Sequence, residues 1–149
     1  MPIPAYMWID GVEGSVEVAG REGSVEVIAF DHEVRIPTDP DTGKLTGTRK
    51  HEAVKVVKAY DASSPYLYDA VCQGKTFETV EIKWYRINDE GTETEYFNHM
   101  LTGVKVCSVK PIMYNVKDPA KERYVHLEEV QMRYKSIKWT YVDGTLTSE

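Results

Sequence analysis

The chain has 149 residues, 42% hydrophobic and 28% charged, with 18 basic and 24 acidic side chains for a net charge of −6. That length suits a single domain spanning 1–149, burying about 70% of the surface its unfolded chain exposes, so neither disulfides nor a structural metal are needed to hold it. An acidic chain without a basic block excludes nucleic-acid binding by phosphate neutralisation, and apolar runs of only a few residues exclude a spanning helix.

The opening Met1-Pro2-Ile3-Pro4-Ala5-Tyr6 has neither a basic n-region nor a long apolar h-region, so no secretory signal peptide is expected. Cys72 and Cys107 are too few for a disulfide scaffold and wrongly spaced for a zinc knuckle. Both are expected to be buried thiols in a reducing cytosol. Val, Ile and Thr number 38 against 13 Leu and Ala, and ten Tyr, three Trp and three Phe add further β-formers. Branched and aromatic side chains suit a pleated surface, which predicts an all-β fold.

In chain order, residues 24–36 read as one long strand. Ile28, Phe30, Val34 and Ile36 would share one face, and the other would run from Val25 and Val27 to Asp31, Glu33 and Arg35. Residues 38–50 follow as a polar loop holding four Thr, two Asp and two Gly, with Leu45 as its only large apolar side chain. A connection of that length is usually functional, and a lone Leu within it calls for a partner surface. A strand is expected over 52–60. Ser64–Gln73 then reads as a short helix, with Ser64 as N-cap, Pro65 in the first helical position and Gly74 in the left-handed C-terminal position. Leu67, Ala70 and Val71 give it a narrow apolar stripe, so it must dock on a sheet.

Residues 77–88 alternate apolar and polar through Val80-Glu81-Ile82-Lys83-Trp84, turn at Asp89-Glu90-Gly91, and pair with a returning strand over 92–97. A further strand spans 102–114. The last, over 124–142, places Val130, Met132 and Tyr134 inward and Glu129, Gln131, Arg133 and Lys135 outward. The apolar set resumes at Ile137, Trp139 and Tyr141, three residues after Tyr134, which predicts a β-bulge near Ser136.

Most constellations that could carry chemistry fail on geometry. Asp39-Pro40-Asp41-Thr42-Gly43 resembles the start of a calcium loop, but Gly43 and Lys50 occupy the fifth and twelfth positions where ligands are required. A turn with Asp side chains bonded to nearby backbone fits better. In Asp31-His32-Glu33 the histidine points away from the two acids on a strand, so it reads as a part-buried, hydrogen-bonded side chain. His51, His99 and His126 have no ligand spacing. Cys72 lies at a helix C-terminus, which raises a thiol pKa, and Cys107 lies in mid-strand. Gly20-Arg21-Glu22-Gly23 precedes a strand and not a helix, so it reads as a turn and not a phosphate cradle. Catalysis has no visible candidate, and no cofactor or metal is expected. The strip Glu129, Gln131, Arg133, Lys135 is either a solvated sheet face or the lining of a wide, wet channel.

The run from Gly20 to Val34 resembles the opening block of the haemolysin-coregulated protein (Hcp) family, the tube protein of bacterial type VI secretion. Pro37-Thr38-Asp39, Thr42-Gly43, Leu45-Thr46-Gly47 and Arg49-x-His51 are similar to that family's long loop. Asp61-x-Ser63-Ser64-Pro65-x-Leu67 resembles the start of its helix, Trp84-Tyr85-Arg86 its central strand, and His126-Leu127-Glu128-x-Val130 with Tyr134, Ile137 and Trp139 its closing strand. Pro4-Ala5-Tyr6-Met7 and Gly11-x-x-Gly14 also fit.

The resemblance implies a two-sheet β-barrel with one flanking helix and a long extended loop, and no enzymatic activity. It implies a homohexameric ring with a broad channel, stacked into a tube inside a contractile sheath below a spike protein. The ring would leave the bacterial cytoplasm without a signal peptide and carry effector proteins, with no membrane insertion. Heterologous side contacts would close six copies, while top and bottom contacts would extend as a filament. On that reading Thr38, Asp39, Thr42, Gly43, Leu45, Thr46 and Gly47 would contact the neighbouring ring, and Glu129, Gln131, Arg133 and Lys135 are the candidate lumen lining. The alternatives are a monomeric β-barrel that binds a small apolar ligand, or a hydrolase, which the scattered His, Asp and Cys positions disfavour.

Overall fold

The computed structural model of the chain describes residues 3–121, 123–141 and, for backbone only, 146–148. In order the elements are β1 (Ala5–Ile9), β2 (Val25–Val27), β3 (Ala29–Asp31), β4 (Val34–Arg35), β5 (Lys50–His51), β6 (Val54–Ala59), α1 (Ser64–Gln73), β7 (Thr76–Ile87), β8 (Glu93–Ile112), a 3-10 turn at Pro119–Lys121, β9 (Leu127–Arg133), β10 (Ser136–Tyr141) and β11 (Leu146–Ser148).

The fold is all-β with one helix, arranged as a nine-stranded and a two-stranded sheet. In the large sheet the order is β2-β1-β7-β8-β9-β6-β3, every neighbour antiparallel. Its first and last strands are successive pieces of one segment. Val25 and Val27 pair with β1, the chain steps at Ile28, whose N–H donates to the Val57 carbonyl at 2.8 Å, and Ala29 to Asp31 pair with β6. That change of partner closes the path from β2 to β3 on itself, while β10 and then β11 extend from β8 outside it.

Residues 24–36 therefore form three short strands with three different partners instead of one long strand. The step also moves the faces: Val25 and Val27 are buried, Phe30 packs against the core, and Ile28, Val34 and Ile36 are exposed. The strands expected over 92–97 and 102–114 are one 20-residue strand, β8. It is long enough to hold β9 along its second half and β10 along its first.

The closing segment breaks at Tyr134 and Lys135 without the expected bulge. Arg133 lies opposite Lys105 and Ser136 opposite Thr102, so two residues are skipped on each side and register is kept. Gly103 takes the left-handed conformation (φ 65°) against the Lys135 side chain. The register shift lies in the partner strand instead, between Val106 and Ser108, where Cys107 is the extra residue. Val142 lies outside the described residues.

The core joins Met7, Val25, Val54, Val56, Val80, Ile82, Leu101, Val104, Val130 and Met132 with Leu67 and Ala70 of α1, which packs on β8. Ser63, and not Ser64, is the N-cap residue, and its side chain makes no cap bond. Ser64 is instead buried with its hydroxyl donating to Glu128 Oε1 at 2.7 Å. Gly74 ends the helix at φ 66° as expected. Both cysteines are exposed, contrary to expectation: Cys72 lies off the α1 stripe, and Cys107 alternates outward after the buried Val104 and Val106.

Candidate functional site

The segment from β4 to β5 is a hairpin that stands off the barrel. Val34 pairs with His51 and Arg35 with Lys50, and farther out Thr38 bridges Leu45. The Thr46 N–H donates to the Pro37 carbonyl at 2.9 Å and the Asp39 N–H to the Lys44 carbonyl at 2.7 Å. At the tip the Asp39 carbonyl accepts from the Gly43 N–H at 2.8 Å, and its Oδ1 accepts from the Asp41 N–H at 2.8 Å. The bond from Asp41, with others from Thr42, holds the Asp39 carboxyl below its ordinary value. This is the turn expected from Asp39-Pro40-Asp41-Thr42-Gly43, and Gly43 takes the positive φ of 73° that it requires.

Thr38, Asp39, Thr42, Gly43, Leu45, Thr46 and Gly47 thus lie together on one projecting arm. Leu45 is 64% exposed within this chain, and residues 40–50 are all exposed. An ordered hairpin holding an uncovered Leu is suited to contact with another molecule.

The root of the arm is fixed by a cluster that spacing along the chain did not reveal. Tyr134, in the break between β9 and β10, lies with its hydroxyl 2.8 Å from His32 Nε2 and 2.6 Å from His51 Nδ1. Arg49 Nε donates to His51 Nε2 at 3.1 Å, and His32 bonds the Glu52 backbone. Burial lowers the His32 pKa, and the neighbouring His51 adds to the effect; burial raises that of the Tyr134 hydroxyl. His32 is part-buried and hydrogen-bonded, as its strand position implied.

Glu129, Gln131 and Arg133 lie along one face of β9, with Gln131 Nε2 donating to Glu129 Oε1 at 3.1 Å. Register places Lys55 and Ser108 beside Gln131, Lys110 beside Glu129, and Lys105 beside Arg133. The face is polar and of mixed sign, and β6, β8 and β9 together give it its breadth. Lys135 leaves the strip: it lies beyond the end of β9, with its aliphatic carbons on Gly103.

A second cluster missed in the sequence joins Lys58, Asp61, Ser64 and Glu128. Lys58 Nζ pairs with Glu128 and lies 3.1 Å from Asp61 Oδ1, beneath the start of α1. The signal was in the alternation, since Lys58 shares the inward face with Val54 and Val56, and Glu128 shares it with Val130 and Met132. Among the described residues no His, Cys, Asp and Glu group is arranged to hold a metal ion.

The family model described as "Type VI secretion system effector, Hcp" matches residues 6–141. The chain belongs to the Hcp family. The "Major exported protein" of Pseudomonas aeruginosa is 37% identical over 164 residues, covering 100% of this chain and 95% of its own length. The solved structure of Hcp1 from E. coli EAEC 042 superposes with a TM-score of 0.86 at 49% identity, over 98% of this chain and 96% of that one. Secreted protein Hcp3 of Pseudomonas aeruginosa gives a TM-score of 0.79 at 30% identity, over 97% and 95%. This Hcp-family chain is a structural tube protein of type VI secretion and not an enzyme.

Proposed function

We propose that the whole chain, 1–149, acts as one domain whose six copies close into a ring, and that the rings stack into the inner tube of the secretion apparatus. The arm from Thr38 to Gly47, carrying Leu45, meets the neighbouring ring. The mixed-charge face of β9 with Glu129, Gln131 and Arg133 lines the channel, where a wet surface lets effector proteins bind reversibly. Lys135 sits at the border of that face. The tube is expelled from the bacterial cytoplasm, with the contractile sheath outside it and the spike protein ahead of it. Export of the 37%-identical relative, named as the major exported protein, supports this destination.

The observation that carries the stacking role is the ordered arm with Leu45 uncovered at 64%. A monomeric barrel that binds a small ligand is less well supported, because Met7, Ile82, Leu101, Met132 and Leu67 fill the interior at full burial. Leu45→Asp tests the stacking role directly. Rings are expected to persist while tubes fail to form and export falls; tubes of normal length and unchanged export would remove Leu45 from the contact.

A further inference from the structure

Hydrogen positions in the cluster at the root of the arm follow from its donors. Arginine only donates, so His51 Nε2 accepts from Arg49 and the proton of neutral His51 is on Nδ1. Nδ1–H then donates to the Tyr134 hydroxyl, whose own hydrogen goes to His32 Nε2. His32 in turn holds its proton on Nδ1, facing the Glu52 backbone. Every link is satisfied with both imidazoles neutral.

Protonating either ring breaks the chain. An imidazolium at His51 turns an N–H toward the Arg49 N–H, so two donors meet. An imidazolium at His32 turns an N–H toward Tyr134, which then receives hydrogens from both rings while its own loses its acceptor. With both charged, two imidazolium rings, each centred within 5.6 Å of the Tyr134 ring, repel one another.

We propose that His32, Tyr134 and His51 form a pH-sensitive latch: neutral, it clasps the arm between Val34 and His51 to the barrel, and protonation releases the arm. The barrel side of the clasp is Tyr134, which packs on the core; the arm side is His51, with His32 at the other foot. Among the groups around it, Asp31, Glu33 and Glu52 favour the charged form, Glu52 being already paired with Arg35 at 3.4 Å. Opposing it are Arg49, Lys55 and Arg133, with the nearby Lys135 and Lys138 beside His51, while His99 of β8, its own pKa pushed down to about 4, stays neutral down to pH 5.5. The latch does not depend on what the arm touches, so it stands apart from the tube assignment.

Hydrogen exchange on the full-length protein tests it. Corrected for intrinsic rate, amides in 33–52 are expected to lose protection about tenfold or more between pH 7.5 and pH 5.5, as expected for losing one or two hydrogen bonds. Amides of β7 and β8 serve as the check that the barrel stays folded. The double variant His32→Gln with His51→Asn keeps an acceptor and a donor at the two positions but cannot titrate, and should stay protected at pH 5.5. Tyr134→Phe should show the low protection at both pH values. Equal protection of the native arm at the two pH values, or loss in the double variant matching the native loss, would overturn the proposal. NMR titration of the native imidazoles gives a second reading independent of any variant: His32 must titrate below pH 6.5, and titration at or above that value would also overturn it.

Discussion

Lys58 and Glu128 face each other across β6 and β9 with both side chains fully buried. Lys58 Nζ also donates to the Ala59 carbonyl at 3.1 Å and to Ser64 Oγ at 3.2 Å, so the pair ties two strands to the first turn of α1. Asp61 completes the knot: its Oδ1 accepts from the Ser63 N–H at 2.9 Å, and its own N–H donates to Ser64 Oγ at 3.1 Å. Removing Lys58 alone leaves the fully buried Glu128 carboxylate, and Asp61 beside it, without a cation. Lys58→Met should therefore cost about 3–5 kcal/mol. Replacing both, as Lys58→Met with Glu128→Leu, should cost much less. Denaturant unfolding at fixed protein concentration reads the difference, and equal losses in the two variants would contradict the ion-pair account.

His99 gives the stability of the fold a pH dependence of definite sign. It sits among Phe30, Trp84 and Phe97, with Nδ1 accepting from Trp84 Nε1 at 2.9 Å. Burial, then the nearby His32, pushes its pKa down to about 4. An unfolded histidine titrates near pH 6.5. Its stabilising contribution is thus whole above pH 6.5, and as pH falls from there toward 4 the unfolded chain takes the proton first. Stability should drop by up to about 1.4 kcal/mol per pH unit from this group. His99→Asn keeps an acceptor for Trp84 without titrating and should flatten that slope. An unchanged slope between pH 6.5 and 5 would exclude His99 as its source.

Arg21 is buried in the loop before β2, with its guanidinium 4.0 Å from the centre of the Tyr85 ring and 4.9 Å from that of Tyr6. Its Nη1 lies 2.6 Å from Glu93 Oε2. One planar cation thereby holds the 10–24 loop to β1, β7 and β8. Lysine cannot stack and bond in that way. Arg21→Lys should cost about 1–2 kcal/mol by thermal unfolding; a loss no greater than an exposed-site substitution would show that the stacking contributes nothing.

Alternation and turn chemistry made much of the fold legible. The 64–73 helix, the β7–β8 hairpin with its Asp89-Glu90-Gly91 turn, and the inward Val130 and Met132 all follow from local pattern. What local pattern hides is exchange of partners. Nothing between Val27 and Ala29 signals that the chain leaves β1 for β6, because a strand that changes partner keeps its β-forming residues. The register shift at Cys107 is equally silent, since one extra residue in a 20-residue strand leaves its β-forming composition unchanged. The candidate site divides in the same way. The arm was readable from length and polarity, whereas His32, His51 and Tyr134 meet only through tertiary folding over separations of 83 and 102 residues.

Under the proposed function the chain is one subunit of a six-fold ring. Light scattering coupled to size exclusion, with negative-stain imaging of the same fraction, tests it most directly. A particle of about six times the 17.0 kDa chain mass, seen as annuli or rods, is the expected result. A species that stays at the mass of one chain at high concentration and shows no annular images would contradict it.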